Sequence, residues 1–319
     1  MWKLILAFLC TATLAAADPA FWKHEWPQTD FGKRAIDGWA EIVSGGPGKD
    51  GILALSDPEF VPASRKRGLE DKEPVITVQQ GSGPARAYPL RYLMWHEIAN
   101  DRVGGIPVAV TYCPLCNSAI VFDRRVAGDV LSFGVTGKLR KSDMVMYDHQ
   151  TQSWWQQAEG RAIVGRMTGT RLEVLPSWME SWARFRADNP DGMVMAEPPF
   201  NRQYGTNPYR RYDSAARPFL YSGDPPPHGI PPLARVVRVG TRAWPLTRLA
   251  EAGRLQEAGL TFTWEAGLAS ALDTARIGAG RDIGQIRVTD ARGRDVAHDL
   301  LFAFAFHAFW PDGTWMLGR

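Results

Sequence analysis

Short apolar runs separated by turn residues dominate the chain from about residue 75 onward. Residues 75–78 and 108–112 are β-branched runs of the kind that form buried strands, and the second run ends directly at Cys113. We therefore expect a strand that delivers Cys113 at its carboxyl end. Further short strands are predicted at residues 119–122, 130–135, 144–147 and 153–155.

Two segments have the signals of helices. Pro89 is a good first helical residue, and it precedes an apolar stripe that predicts a helix over residues 90–99. The second predicted helix begins at the capping box Ser177-x-x-Glu180 and stops at Asn189-Pro190. Since predicted strands outnumber helices, the sequence predicts a strand-rich α+β fold.

Changes in composition divide the chain into five parts. Nine of the 23 prolines lie in one part that contains few aliphatic residues, which is typical of a linker or a long surface excursion. The predicted parts are a signal peptide at 1–17, an irregular N-terminal wrap at 18–74, a Cys-x-x-Cys domain at 75–195, the Pro-rich linker or excursion at 196–232, and a degenerate second copy at 233–319.

The first 17 residues have the pattern of an export signal. Lys3 is followed by an apolar stretch over residues 4–9 and by three alanines before Asp18. The residues before Cys10 lack the small side chains expected at a lipoprotein cleavage site. We therefore expect a soluble periplasmic or secreted protein, without a membrane span.

Two short sequence repeats, which we call echoes, suggest a second copy of part of the chain. Arg86-Ala-Tyr-Pro-Leu is repeated as Arg242-Ala-Trp-Pro-Leu, and Val110-Thr-Tyr-Cys as Phe262-Thr-Trp-Glu. This alignment places Glu265 at the position of Cys113, so the second copy would keep the fold and lose the chemistry. The alternative is chance similarity between two helices that each begin after a proline.

Charge excludes one class of partner. The 37 basic and 34 acidic residues are interspersed along the chain and give a net charge of +3, so no broad field favours nucleic acid. The partners that remain are a small molecule, a metal ion or another periplasmic protein.

Cys113 and Cys116 are the chemical centre that the sequence predicts. A Cys-x-x-Cys pair can close a small disulfide, act as a redox dithiol, or present two thiolates to a soft metal. In an oxidising compartment a structural disulfide is the default expectation. So short a loop, however, contributes little loop-closure stabilisation, which favours a functional pair.

The accessory candidates are polar side chains before and after the pair. Two thiolates with His96 and His149 suit a tetrahedral zinc site, whereas copper would use the thiolates with neighbouring thioethers. Asp143 and Asp148 are further candidates, and a cysteine nucleophile would need His96 or Asp148 to orient or deprotonate it. Whether the protein is an enzyme stays open. Copper or zinc is the expected cofactor, and the main alternative is a ligand-binding or scaffold module with a structural disulfide.

The motifs resemble those of the bacterial and archaeal domain-of-unknown-function family number 3179. The residues that carry this resemblance include Tyr88-Pro-Leu, His96-Glu-Ile-Ala-Asn-Asp, Thr111-Tyr-Cys-Pro-Leu-Cys-Asn-Ser-Ala, Phe133-Gly-Val-Thr-Gly-Lys-Leu and Ser142-Asp143. The resemblance covers about residues 75–196 and implies no activity. A fainter similarity, to the copper chaperone of nitrous-oxide reductase and to the organomercurial lyases, implies soft-metal binding through cysteine.

Overall fold

The computed structural model describes residues 19–318, so the predicted signal segment 1–17 lies outside the described residues. The first twelve strands are β1 Ile42–Ser44, β2 Leu55–Ser56, β3 Phe60–Pro62, β4 Pro74–Val78, β5 Arg86–Pro89, β6 Ile98–Val103, β7 Ile106–Cys113, β8 Ser118–Asp123, β9 Arg125–Val126, β10 Asp129–Val130, β11 Phe133–Arg140 and β12 Asp143–Asp148. The others are β13 Trp154–Gln156, β14 Arg161–Val164, β15 Val174–Leu175, β16 Ser177–Ser181, β17 Met193–Met195, β18 Arg235–Val239, β19 Arg242–Pro245, β20 Arg254–Glu257, β21 Leu260–Glu265, β22 Gln285–Asp290, β23 Asp299–Phe302 and β24 Thr314–Trp315.

Four α-helices connect these strands, and each has seven residues. They are α1 Leu90–His96, α2 Trp182–Asp188, α3 Leu246–Ala252 and α4 Ala303–Phe309. Every one of them starts at the residue after a strand ends. Helices this short cap strand ends and cannot form a layer of their own.

The α+β prediction is therefore wrong. In the described chain 37% of the residues are in strands and 15% in helices when the short 3-10 helices are counted with the four α-helices, and five small sheets are arranged as a five-bladed β-propeller. The sheets follow the orders β1-β11-β12-β13-β14, β15-β8-β7-β6-β2, β16-β4-β5-β17-β3, β23-β18-β19-β24 and β20-β21-β22, and β9 and β10 form a separate ribbon. Several sheets take strands from distant parts of the chain, so the blades are not simple consecutive meanders.

The predicted strands around the cysteines are confirmed, whereas both helices are shorter than predicted. β4, β7, β8 and β12 cover the predicted runs. The helix predicted over 90–99 ends at His96, because Glu97 adopts a left-handed backbone (φ 57°) and the chain continues as β6. The capping box at Ser177 lies in strand β16, and α2 begins later, with Ser181 accepting a hydrogen bond from the Arg184 N–H.

Two of the sheets have the same topology. β16-β4-β5-β17 and β23-β18-β19-β24 share strand order and contain the same two antiparallel pairs followed by a parallel pair. A seven-residue helix directly follows the second strand of the hairpin in each case, α1 after β5 and α3 after β19. The echoed residues therefore occupy corresponding elements. That the second unit arose by duplication stays a prediction.

The largest hydrophobic core lies between the sheets and includes both cysteines. The Pro-rich segment 196–232 contains no strand within the described chain, and its Tyr204, Tyr209, Tyr212 and Tyr221 pack against this core. Among residues 19–318, no helix has the length and hydropathy needed to cross a membrane.

Candidate functional site

The Cys-Pro-Leu-Cys segment forms the turn between β7 and β8. Cys113 pairs with Ser118 across the hairpin, and Asn117 takes the left-handed conformation (φ 52°) that closes the turn. The Cys116 N–H donates to the Cys113 carbonyl at 3.2 Å. This tight turn holds the two thiols on the same side, and both are buried free thiols.

Residues 233–319, which we call the second unit, contact this turn through the start of β23. The Asp299 carboxylate accepts hydrogen bonds from the Ser118 hydroxyl (2.7 Å) and the Ala119 N–H (3.0 Å). The Asn117 amide donates to the Leu300 carbonyl at 2.8 Å, and the Phe302 N–H donates to the Cys116 carbonyl at 2.9 Å. The position of the cysteines therefore depends on residues about 180 positions further along the chain.

Asp143 completes a three-residue group with the cysteines. One ligand atom of each residue lies within 4.8 Å of the other two, and all three residues are buried. The β11–β12 turn brings Asp143 there, because Lys141 and Ser142 both have positive φ angles, as a tight two-residue hairpin requires. The Ser142 carbonyl also lies 3.5 Å from the Cys116 sulfur.

One oxygen of Asp143 is bonded and the other is free. Oδ2 accepts from the Gln156 amide at 2.6 Å and from the Ala158 N–H at 2.9 Å. Oδ1 is buried with no hydrogen-bond partner in the described chain. A buried carboxylate oxygen without a donor is costly, so Oδ1 is available as a ligand atom beside the two sulfurs.

Burial makes all three groups weak acids. It raises the pKa of Cys113 above its usual value and that of Cys116 well above it. Burial also raises the pKa of Asp143 to about 6, although hydrogen bonds from Ala158, Gln156 and the two neighbouring thiols oppose the change. Both thiols therefore stay protonated at neutral pH, which argues against a free nucleophilic thiolate.

Glu97 is a fourth acidic group near the site. Its side chain is 8% exposed, and burial, together with the charge of Asp143, raises its pKa to about 8. Its backbone has φ 57° and ψ −32°, and the helix α3 ends in the same way at Gly253, with φ 61° and ψ −53°. A glutamate in a conformation that favours glycine stores strain, which is often found at functional sites.

A cavity of about 520 Å³ lies beside this group. Its walls include Glu97, Leu115 between the two cysteines, and Met144 next to Asp143. Residues 208–219 of the Pro-rich segment cover its other side through Tyr209, Tyr212 and Phe219. The Tyr212 hydroxyl donates to the Leu115 carbonyl at 3.0 Å and ties this cover to the cysteine turn.

Three of the accessory candidates lie elsewhere. The His96 ring nitrogens contact the Leu53 carbonyl (2.7 Å) and the Tyr204 hydroxyl (2.6 Å). Asp148 accepts hydrogen bonds from Thr151 and Trp155, and His149 contacts the Ser132 carbonyl at 2.9 Å. None of the three belongs to the ligand group of Cys113, Cys116 and Asp143 that the described residues form.

Sequence reasoning did not single out Glu97 or the tyrosines of the cover. The echo between the two units contained a signal for Glu97, because it aligns this residue with Gly253 at a helix end. For Tyr209 and Tyr212 the sequence offered only an aromatic pair within a Pro-rich segment.

Comparisons with known proteins give one assignment. No curated protein and no solved structure matches the chain. Residues 49–313 match the family described as "Protein of unknown function (DUF3179)", and because this match covers more than half of the chain, the chain belongs to that family.

Proposed function

We propose that this is an exported protein whose Cys113, Cys116 and Asp143 bind a thiophilic divalent metal ion, with zinc as the best fit. The observation that carries this proposal is the convergence of two buried sulfurs and the unbonded Asp143 Oδ1 within 4.8 Å. Three such ligands leave one position of a tetrahedral zinc site for water or substrate.

Charge supports a bound cation. In the deprotonated state the three side chains would place three negative charges in the core, which is strongly unfavourable without a partner. A divalent cation compensates most of that charge and lowers the pKa of the thiols that it binds. Binding then releases the thiol protons, so metal affinity should increase as the pH rises.

The donor set favours zinc over copper. Copper(I) prefers thiolate and thioether ligands, whereas a carboxylate oxygen is a harder donor that zinc accepts together with sulfur. Met144 contributes to the cavity wall and Met146 is buried in β12. We therefore place the Met144 thioether in the cavity wall and the Met146 thioether in the hydrophobic core.

Elemental analysis of the purified mature protein tests this proposal. We expect close to one equivalent of zinc after purification without chelators. Asp143→Asn and Cys113→Ser should each weaken zinc binding by about tenfold or more in competition with a chromophoric chelator. Asp148→Asn is the matched control, because Asp148 is a buried carboxylate on the same strand but outside the group.

A redox dithiol is the second candidate. Asp143, beside both sulfurs, would accept a thiol proton as the resulting thiolate attacks the disulfide of a partner, which is reduced to two thiols while Cys113 and Cys116 form a disulfide. Metal-free protein whose cysteines oxidise and reduce reversibly, with no zinc bound after reconstitution, would replace the metal proposal with this one. A stable disulfide with neither metal nor reversible redox behaviour would leave the pair a structural link.

Export is part of the same proposal. The pattern of residues 1–17 places the mature N-terminus near Asp18, in a compartment where an exposed thiol pair would be oxidised. Intact-mass analysis of periplasmic material should show the loss of residues 1–17. Recovery of only the full-length mass, in the cytoplasmic fraction, would contradict this part.

A further inference from the structure

The cavity beside the cysteine group has the dimensions and walls of a ligand site. About 520 Å³ is within the range that small-molecule sites occupy. Its walls are mostly apolar and include Ile52, Leu115, Val135, Leu139, Met144 and Phe219. A break in the β11–β12 register between Val135 and Lys138 lies on one wall, as β-bulges often do beside binding sites.

The inner end of the cavity has a polar group without a partner. The Glu97 side chain lines the cavity and is 8% exposed. No donor in the described chain forms a hydrogen bond or ion pair with its carboxyl, in contrast to Asp299 and Asp213 nearby. The Glu97 carboxyl therefore faces the cavity without a protein partner and can meet a polar group of a ligand at this end.

The solvent-exposed side of the cavity is basic. Arg210 and Arg211 line it and are exposed. Neither forms a salt bridge with an acidic group in the described part of the chain. Lys138 also lines the wall, but its ammonium pairs with Glu25 at 3.2 Å. The cavity thus has two uncompensated guanidinium groups at its edge, an apolar middle and one carboxyl inside.

We propose that this cavity binds a small organic anion with an apolar body. Its anionic group lies at Arg210 and Arg211, its body contacts Leu115, Met144 and Phe219, and a hydrogen-bonding group at the other end meets Glu97. The charges of the cavity favour this orientation, because Arg210 and Arg211 are the cavity-lining basic residues that form no salt bridge in the described chain.

This site does not depend on a bound metal. The arginines and the apolar walls lie outside the group of Cys113, Cys116 and Asp143. If the proposed metal centre is correct, the ligand lies next to it and is its substrate or a regulator. If that centre is wrong, the cavity still binds the anion.

A matched pair of fluorescent probes tests the proposal. 1-Anilinonaphthalene-8-sulfonate and N-phenyl-1-naphthylamine have the same aromatic body, and only the first carries a sulfonate. We expect saturable one-site binding of both and tighter binding of the sulfonate. The titrations use mature protein with and without zinc, and also the Cys113→Ser variant, in which the metal site alone is changed.

Three variants locate the bound probe. The double variant Arg210→Ala/Arg211→Ala should weaken sulfonate binding by about tenfold and leave the neutral probe unchanged. Arg217→Ala is the control, since Arg217 is an exposed arginine of the same segment that does not line the cavity. Ala215→Trp adds a large ring at an exposed wall position and should weaken both probes.

Any of three results would contradict the proposal. The first is that wild type binds the sulfonate no more tightly than the neutral probe. The second is that the Arg210→Ala/Arg211→Ala and Arg217→Ala variants lose equal affinity for the sulfonate, and the third is that Ala215→Trp binds both probes as wild type does. Near-UV circular dichroism and cooperative urea unfolding of every variant distinguish site binding from probe uptake by loosened protein. Loss of zinc in Cys113→Ser with unchanged probe binding separates this site from the metal proposal.

Discussion

Glu97 combines features that a folded protein normally avoids. Its backbone is left-handed, the residue is largely buried, and no donor in the described chain bonds its carboxyl. The nearest strongly interacting charge is that of Asp143, which is also acidic. Each of these features lowers stability, so the metal-free protein should be stabilised by changes at this residue.

The pH dependence of unfolding tests the state of this carboxyl. The folded pKa of Glu97, about 8, lies above the ordinary value of 4.5, so between these values the folded state binds more protons than the unfolded state. Stability of the metal-free protein should therefore fall as the pH rises from about 5 to 8. Glu97→Gln removes this titration, so its stability should fall less over the same range.

Urea unfolding at pH 5, 6, 7 and 8 measures the difference. Asp143 has a folded pKa of about 6. Its titration therefore contributes mainly to the fall in stability below pH 6, in wild type and in Glu97→Gln alike. Glu251→Gln, at an exposed position of α3, should keep the wild-type dependence. Equal slopes for wild type and Glu97→Gln between pH 6 and 8 would show that Glu97 is ionised in the folded protein.

At the scale of elements, β23 holds the β7–β8 turn through buried hydrogen bonds. Asp299 is the centre of this contact, since it bonds both Ser118 and Ala119. Residues that hydrogen-bond and orient the ligands of a metal commonly affect metal affinity, and removing them weakens it. Asp299 is therefore a positioning residue for Cys116, and it lies in the unit that has no cysteine.

Asp299→Asn should lower both stability and zinc affinity. We expect a loss of about 1–3 kcal/mol in the free energy of unfolding and about tenfold weaker zinc binding. Val288→Ala is the control, because it creates a cavity of comparable cost in the core of the second unit without touching the turn. If both variants bind zinc as wild type does, Asp299 has only a structural role.

The sequence predicted this region unevenly, for physical reasons. β7 and β8 are continuous apolar runs, so the hydrophobic pattern predicted both strands and placed Cys113 at the end of the first. The helix over 90–99 was overextended because apolar spacing cannot show that Glu97 takes a left-handed backbone. Asp143 and Asp148 are both buried acids on one strand, and only tertiary structure shows that the first faces the cysteines.

The α+β prediction failed because local signals do not determine how sheets associate. Two apparent helices were partly strand, and five sheets recruit strands across long stretches of chain. The sequence contains a further repeat, because Pro190-Asp-Gly follows α2 and Pro311-Asp-Gly follows α4. These turns precede the parallel strands β17 and β24 and would have extended the repeat into its last strand.

At the scale of the whole molecule, one buried ion pair joins the Pro-rich segment to the second unit. The Asp213 carboxylate lies 3.0 Å from the Arg235 guanidinium and 2.7 Å from that of Arg281, and Ser270 donates to it. The same segment covers the cavity with Tyr209, Tyr212 and Phe219. Asp213 thus anchors the cover of the candidate site.

Asp213→Ala should loosen this cover. It leaves Arg235 buried without its main partner, which costs about 3–5 kcal/mol, and it frees residues 208–219 to move. Trypsin should then cut after Arg210 or Arg211 faster than in wild type, and the thiols of metal-free protein should react faster with an alkylating reagent. Asp224→Ala, an exposed acid of the same segment, should change neither rate.

The double variant Asp213→Ala/Arg235→Met separates anchoring from stability. Replacing Arg235 by an apolar side chain removes the unpaired buried charge, so most of the lost stability should return. The segment still lacks its anchor to Arg281 and Ser270, so fast cleavage and fast alkylation should persist. If both rates instead return to wild-type values with the stability, the ion pair acts only through global stability, and the cover closes over the cysteines without it.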